Sequence, residues 1–323
     1  MPVNVTISLD AIPVPCIPFD VSGGILQPVD LGWCEYRFSD AAAGNIARVL
    51  GLCDGTRTVT SIAEALKAPP AKIAVLVTSL YTRGIVQDAS QRDAPAAAFQ
   101  EHMVACGRTK RTQMAHESDL LGSSPHRRQL LGSLVETCHF VSSASYHLGA
   151  AVAHAPDADL RDVLSRLFVE EWRHGKDLLK GLVAAGLTED EVRRSRPLPG
   201  TQSVINFLRA LAATDLLSYA VCATVNESPK TDKAIKESWD ALAASGVLPA
   251  EAIFPFRGHE LEDEASGHNG LAPDVFRPLT VISPDEQRRI HASLESFIGV
   301  QAACYRGMKE FYDAPEGPDA WGL

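Results

Sequence analysis

Apolar residues recur at every third or fourth position along most of the chain from residue 126 to residue 312. This period is that of an α-helix with one buried face. Such a run, with only short polar breaks, is typical of helices that pack on one another. The pattern predicts a mainly α protein with an all-helical domain over residues 126–323.

Capping signals divide this domain into separate helices. Residues 126–155 are predicted as one long helix, or as two that meet near Gly149. Residues 201–227 are predicted as one further helix. The other boundary signals are a helix end at Gly186, the capping-box pair Thr188 and Glu191, a turn at Leu198–Pro199, a break at Pro229, and the helix start Ser283–Pro284.

Residues 31–88 show a different alternation, which predicts a small α+β module. A strand over 33–38 is followed by a helix that begins at Ser39 or Asp40. A second helix is predicted to begin at Thr60 or Ser61, with Glu64 as its capping-box partner. A third helix ends at Gly84 and leads into a final strand.

The segments on either side of this module lack a regular pattern. Residues 1–30 are rich in proline and predict an extended N-terminal arm. Residues 89–125 are small and polar, and predict a linker with a short helix near Phe99. This linker carries the densest basic patch of the chain, which we interpret as a solvated face: Arg108, Lys110 and Arg111.

Composition narrows the function classes. The formal net charge is −10 and the pI is near 5.5, so the chain has no broad basic surface for nucleic acid. No apolar run approaches the roughly 20 residues that span a bilayer, and the N-terminus does not resemble a signal peptide. The seven cysteines form no C-x-x-C pair and are interpreted as reduced. We therefore expect a cytoplasmic protein that binds neither membrane nor nucleic acid.

Two helical segments carry acids and histidines at the spacing of metal ligands. Glu171 and His174 lie three residues apart, so they share one face of a helix, as Glu170 and His174 would at a spacing of four. His259 and Asp263 form a second pair four residues apart. One helix cannot complete a metal site, and the two pairs together predict a site between helices.

Further ligands would have to come from elsewhere in the helical domain. Glu227 offers a single carboxylate at the end of a helix. His268 follows Asp263 by five residues and reaches the same face only where the helix breaks or bulges at Gly267; otherwise Ser266 stands in the expected place and water fills the vacancy. A set this rich in carboxylates suits two irons better than one zinc.

A third pair of the same type occurs in the first helix of the domain. Glu136 and His139 are three residues apart, on the apolar side that also carries Leu130 and Val135. They are candidates for additional ligands or for catalytic residues of a substrate pocket. We favour the pocket, because a third histidine pair would overfill two irons.

The order of these motifs resembles a known family. The sequence EExxH at 170–174, then Glu227, then HxxxD at 259–263 followed by GHNGLA, is similar to the heme oxygenase-like diiron oxidases, which are related to the TenA and PqqC folds. The resemblance covers about residues 125–312. It implies a seven-helix bundle with Fe(II), two per chain, held by these ligands and a last histidine. This chain departs there, since Ser266 occupies that histidine's usual position.

The N-terminal module has a resemblance of its own. The sequences LCDGTRTVTSIAEAL and VTSLYTRGIV are similar to PqqD-like domains, which are small winged helices that hold leader peptides during peptide modification. A DNA-binding winged helix would share the pattern but would carry more basic residues than Lys72 and Arg83 on its recognition helix. A scaffold or dimerisation module is the third alternative.

Together the resemblances imply an enzyme that uses Fe(II) and O₂ on an amino-acid-derived or peptide substrate in natural-product biosynthesis. The expected reactions are N-oxygenation, desaturation or C–C cleavage. One alternative is a cofactor-free enzyme of the PqqC or TenA type; another is a non-catalytic peptide-binding protein. The wide apolar face of the last helix predicts a homodimer.

Overall fold

The computed structural model describes most of the chain in ten stretches. The described residues are 7–15, 19–22, 25–28, 36–37, 40–82, 85–90, 92–118, 125–227, 231–266 and 270–313. The chain divides into two compact units. The first comprises residues 1–99 and 279–296, and the second comprises residues 100–278 and 297–323.

The first unit combines short strands with three helices. Its elements are β1 (Pro13–Pro15), β2 (Phe19–Ser22), β3 (Ile25–Pro28), β4 (Tyr36–Arg37), α1 (Asp40–Leu50), α2 (Val59–Ala65), α3 (Pro70–Thr82), β5 (Val86–Asp88), β6 (Ala94–Pro95) and β7 (Val281–Ile282). All strand pairs are antiparallel: β1 with β5, β6 with β7, and β2, β3 and β4 in one sheet. The core lies between α1, α2 and α3 and includes Ile46, Ile62 and Val77.

The start of α2 differs from the prediction. Thr58 is the N-cap residue, and its side chain accepts a hydrogen bond from the backbone N–H of Ser61 at 3.1 Å. The predicted caps Thr60 and Ser61 therefore lie inside the first turn, and Glu64 is not the capping partner. Thr58 was overlooked because it precedes Val59, a β-branched residue that is more often found in strands. The predicted strand after α3 is confirmed as β5.

The second unit is helical throughout its described part. Its helices are α4 (Ala96–Ser118), α5 (Arg127–Ser142), α6 (Ala144–His154), α7 (Ala158–Ala184), α8 (Glu189–Arg194), α9 (Pro199–Thr214), α10 (Leu216–Asn226), α11 (Asp232–Ala244), α12 (Ala250–Ser266), α13 (Leu271–Phe276) and α14 (Pro284–Tyr312). Helices α4 and α14 contribute residues to both units. Helix α7 is central, since it packs against α5, α6 and α12.

The segment predicted as a linker with a short helix is instead the 23-residue helix α4. Its buried side chains include Gln100, Met103, Val104 and Met114, which recur at helical spacing. The stripe was missed because small and polar residues such as Ala, Gly and Gln fill much of it. Burial of a helical face, rather than a run of large apolar residues, stabilises this helix.

Two predicted helices are each divided in the structure. The first breaks at Ser143, between α5 and α6, and not at Gly149, which lies inside α6. The second breaks at Asp215, whose side chain accepts a hydrogen bond from the backbone N–H of Ser218 and caps α10. Only the second break uses a short polar side chain that competes with the helix for backbone hydrogen bonds, because Ser143 makes no side-chain capping hydrogen bond. The capping box at Thr188 and Glu191 and the helix end at Gly186 are confirmed.

One end of α7 anchors the packed core of this unit. Leu178 and Leu182 are fully buried among residues of α5 and α12. At Gly181 a Cβ atom would lie only 2.7 Å from the carbonyl oxygen of Ala252, so α7 and α12 approach closely there. Residues 165–177, by contrast, contribute no buried side chain. The middle of α7, residues 165–177, therefore does not belong to the packed core.

Candidate metal centre

Helices α7 and α12 bring both predicted ligand pairs together. His174 Nδ1 lies 3.3 Å from Glu171 Oε2 on its own helix and 3.5 Å from Asp263 Oδ1 of α12. His259 Nδ1 lies 3.3 Å from the same oxygen of Asp263. Asp263 is thus shared by the two imidazoles. The i, i+3 and i, i+4 spacings placed each pair on one face, and the packing of α7 on α12 joins them.

The side chains of this cluster are largely buried. The side chains of His174 and His259 are each 10% exposed, and that of Asp263 is 15% exposed. The two imidazole rings meet at an angle of 60° with centroids 4.6 Å apart. Burial alone would lower the pKa of His259, but the adjacent Asp263, with Glu171 and Glu227, outweighs it and raises that pKa. The carboxylates around His259 therefore favour a positive charge at this position.

The donor set fits a transition-metal ion. One ligand atom each from His174, His259 and Asp263 lies within 4.8 Å of the others. Ligands bound to one ion at about 2.1 Å lie about 3 Å apart, and the distances of His174 Nδ1 and His259 Nδ1 from Asp263 Oδ1, 3.5 and 3.3 Å, are near this value. Imidazoles together with carboxylates are the donors that iron uses in oxygen-activating sites. Glu171 extends the set at the 3.3 Å contact with His174.

Glu227 contributes a further carboxylate from the C-terminal end of α10. Its side chain accepts a hydrogen bond from Asn226 Nδ2 at 3.1 Å. Burial raises the pKa of Glu227, and the negative charges of Asp263 and Glu171 raise it further. Arg111 of α4 opposes this shift. The coupling places Glu227 in the same electrostatic neighbourhood as the two helical pairs.

The remaining predicted site residues lie elsewhere or outside the description. Glu170 is exposed and is not one of the three residues of the ligand group. His268 lies outside the described residues, as does Gly267. Ser266 ends α12. The alternative between His268 and Ser266 stays a prediction.

Glu136 and His139 lie on the same helix, α5, but contact different groups. Glu136 lines the cavity described below, and its carboxylate accepts hydrogen bonds from Leu198 N at 3.0 Å and Tyr312 Oη at 3.2 Å. Burial raises the pKa of Glu136 against these hydrogen bonds. His139 is not among the lining residues, and its Nε2 contacts Ser195 Oγ at 2.8 Å. The Glu136 carboxylate thus accepts a hydrogen bond from the residue that precedes α9. The His139 imidazole contacts Ser195, in the segment between α8 and α9.

A cavity of about 410 Å³ adjoins the ligand cluster. Its wall is mostly apolar, with Phe140, Leu148 and Trp239 among the lining side chains. Glu171, Glu227, His259 and Asp263 also line it, so the cluster faces a volume large enough for a small molecule.

A buried histidine and tyrosine also line this cavity. His147 Nδ1 lies 2.8 Å from Tyr219 Oη. Burial lowers the pKa of His147 to about 4, although the charge of Glu171 opposes it. Burial and the charges of Glu171 and Glu227 raise the pKa of Tyr219. The pair is thus held neutral beside the carboxylates.

Several cavity residues were not predicted from the sequence. His147 and Tyr219 are 72 residues apart and share no local motif. Gln301 and Arg111 line the cavity from α14 and α4, and Arg111 had been assigned to a solvated basic patch. A buried helical stripe through α4 was the one signal that could have located Arg111. The other three depend on how the helices pack.

Comparison with known proteins identifies the fold. No family model and no curated protein matches the sequence. A solved domain of unknown function with a heme oxygenase-like fold from Shewanella denitrificans OS217 matches 66% of this chain and 91% of that chain, at 18% identity and a TM-score of 0.53. A TenA homolog from Pseudomonas syringae pv. tomato str. DC3000 matches 69% of this chain and 94% of that chain, at 14% identity and a TM-score of 0.47.

The similarity to the Shewanella domain confirms the coarser part of the predicted fold. The chain is mainly helical and carries a heme oxygenase-like fold over about two thirds of its length. In the described part of the chain, no helix is long and apolar enough to cross a membrane. The five cysteines with described side chains are not in disulfide bonds, and four of them are buried.

Proposed function

We propose that the chain is an Fe(II)- and O₂-dependent oxidase or oxygenase whose substrate is an amino-acid-derived compound or a peptide. The observation that carries the proposal is the convergence of His174, His259 and Asp263 beside a mostly apolar cavity, which His259 and Asp263 line. The sequence resemblance to diiron oxidases supports the same assignment.

The chain's own residues have separable roles in this proposal. Glu171, His174, His259, Asp263 and Glu227 would hold the metal, with His268 as a candidate for the last ligand of a second iron. Bound iron would supply the activation of O₂. The apolar wall would exclude water from the substrate. His147 and Tyr219 hold a proton between them at 2.8 Å, within the electrostatic influence of Glu171.

Anaerobic titration with Fe(II) tests the metal site. The metal-free protein should bind two Fe(II) ions, and O₂ consumption should follow. Replacement of both His174 and His259 by alanine should abolish binding. His154→Ala is the matched control, because His154 is an exposed histidine at the end of α6. Unchanged iron stoichiometry and O₂ consumption in the double variant would contradict the proposal.

A cofactor-free enzyme is the second candidate function. It is favoured by the acid–base groups of the cavity that need no metal, namely Glu136 and the His147–Tyr219 pair. Full activity after exhaustive chelation would support this function and exclude the first. Loss of activity on chelation, restored by Fe(II), would do the reverse.

For residues 31–88 we propose a PqqD-like winged-helix module that holds a leader peptide. The supporting features are the order of α1, α2, α3 and β5 and the sequence resemblance of this segment. Isothermal titration with synthetic leader peptides would test it. Peptide binding without turnover under Fe(II), O₂ and reductant would instead favour a non-catalytic binding protein.

A further inference from the structure

One basic side chain reaches the cavity. Arg111 is the only lysine or arginine among the described lining residues, and it comes from α4. Its Nε atom is buried and has no hydrogen-bond partner. A buried guanidinium N–H without an acceptor is costly, so a ligand that supplies an acceptor gains free energy there. A carboxylate matches the planar guanidinium geometry best.

One buried acceptor on the same wall also lacks a partner. Gln301 of α14 is 4% exposed and lines the cavity, and its Oε1 atom has no hydrogen-bond partner. Its Nε2 donates to Asn226 Oδ1 at 2.8 Å, and Asn226 Nδ2 donates to Glu227 Oε1 at 3.1 Å. Because the ionised carboxylate of Glu227 can only accept, this chain of amides leaves the oxygen of Gln301 for the cavity.

Both side chains, Arg111 and Gln301, interact with Glu227, directly or through Asn226. The charge of Arg111 acts on Glu227, and Gln301 connects to Glu227 through Asn226. The cavity therefore offers a cationic donor and a neutral acceptor near one carboxylate. The cavity wall as a whole is mostly apolar, and Phe140, Leu148 and Trp239 are among its side chains.

We propose that Arg111 and Gln301 form the head-group subsite for a free apolar α-amino acid. The substrate carboxylate binds Arg111, its amino N–H donates to Gln301 Oε1, and its side chain occupies the apolar part of the cavity. The inference rests on the proposed function only in taking this ligand as the substrate. It excludes an internal residue of a peptide, whose carboxyl group is an amide.

Isothermal titration with L-phenylalanine and L-leucine tests the subsite. Two analogues separate the contacts: phenylalaninamide lacks the carboxylate, and 3-phenylpropanoate lacks the amine. Wild-type protein should prefer L-phenylalanine to both. Arg111→Met should weaken L-phenylalanine binding by about 10- to 100-fold and remove the preference over phenylalaninamide. Gln301→Leu should remove the preference over 3-phenylpropanoate.

Two variants guard against a loss of folding. Lys110→Met removes the same charge from the neighbouring position of α4, which does not line the cavity, and should leave binding unchanged. Arg111→Lys should restore part of the affinity that Arg111→Met loses. Equal affinity of wild type and Arg111→Met for L-phenylalanine, or no binding of either amino acid by the wild type, would overturn the inference.

The titrations are run on metal-free and on anaerobic Fe(II)-loaded protein, so that failure of the subsite is distinguishable from failure of the metal site. Arg111-dependent binding in a protein that takes up no iron would uphold the subsite and reject the oxygenase. Iron binding at full stoichiometry with amino-acid affinity that is insensitive to Arg111→Met would uphold the metal site and reject the subsite.

Discussion

Two regions of α7 have different surroundings. At Leu178 and Leu182 the helix is packed against apolar side chains of α5 and α12. Two turns earlier, Glu171 and His174 face the same neighbour, α12, through charged and hydrogen-bonding groups beside a cavity. Helix α12 is divided in the same way, since Ile253 and Phe256 belong to the core while Asp263 belongs to the cluster.

The difference shows that α7 and α12 can pack through apolar side chains at one end and bring polar and charged side chains together at the other. The apolar end fixes the separation and register of α7 and α12. The polar end gains nothing from hydrophobic burial and brings together like charges, which disfavours folding without a cation. Substitutions at the two ends should therefore affect stability and ligand binding separately.

The largest effect on stability should come from the packed end. Leu182→Ala removes a fully buried side chain and should lower the free energy of unfolding by about 2–5 kcal/mol. Denaturant unfolding of the metal-free protein measures it. Fe(II) affinity of the folded variant should stay within about 3-fold of wild type. A loss of iron binding much beyond that, in protein that is still folded, would mean that the two ends are not separable.

The buried His147 should make the cavity end sensitive to acid. Its pKa in the folded protein is depressed to about 4, below the ordinary value of 6.5. The stability that it contributes is therefore complete above pH 6.5 and is lost as the pH falls toward 4. Between pH 7.5 and pH 5 the loss should be about 2 kcal/mol. Denaturant unfolding at the two pH values should show this loss in wild type and not in His147→Gln.

The close approach at Gly181 sharpens the comparison within the packed end. Gly181→Ala would place a Cβ 2.7 Å from Ala252 O, which is rigid backbone. Overpacking should cost more than the roughly 1 kcal/mol that alanine gains in a helix, for a net loss of about 1 kcal/mol. Gly299→Ala is the matched control in α14, where nothing lies within 4 Å, and should stabilise the protein. Thermal unfolding of both variants decides between them.

The smallest effect should have the opposite sign. The pKa of Glu227 is raised by burial and by Asp263 above its ordinary 4.5, so its ionised form destabilises the metal-free fold as the pH rises above that value. Glu227→Gln should therefore stabilise the metal-free protein at pH 7 by about 1 kcal/mol or less, and weaken Fe(II) binding. Destabilisation at pH 7, or an equal gain at pH 4, would contradict this sign.

The sequence predicted those parts of the site that depend on local spacing. Glu171 with His174, and His259 with Asp263, each lie within one turn of a helix, so a helical period was enough to pair them. The end of α7 at Gly186 and the capping box of α8 were equally local. The resemblance to a helical family supplied the fold class, which the structural comparison confirms.

The parts that could not be predicted depend on which helices meet. His147 reaches Tyr219 only because α6 and α10 lie on the same cavity. Arg111 lines the cavity from α4, whose buried stripe mixes Met103, Val104 and Met114 with small and polar residues and so carries a weak apolar signal. The break at Ser143 has no side-chain capping hydrogen bond to mark it, whereas Gly149, the residue that the sequence favoured as a break, lies inside α6.

The gap in burial along α7, from residue 165 to residue 177, has a consequence for how such a protein evolves. Because no side chain in this stretch is fully buried in the core, most substitutions there should cost little stability, whereas Leu164, Leu178 and Leu182 keep the helix in place. Gly175 is an exception, since a Cβ there would lie 2.4 Å from Ser142 Oγ. Selection can thus exchange most side chains of this stretch while the packed part of the helix keeps its stability. A lineage built on this arrangement can diversify its chemistry without first evolving a stronger fold.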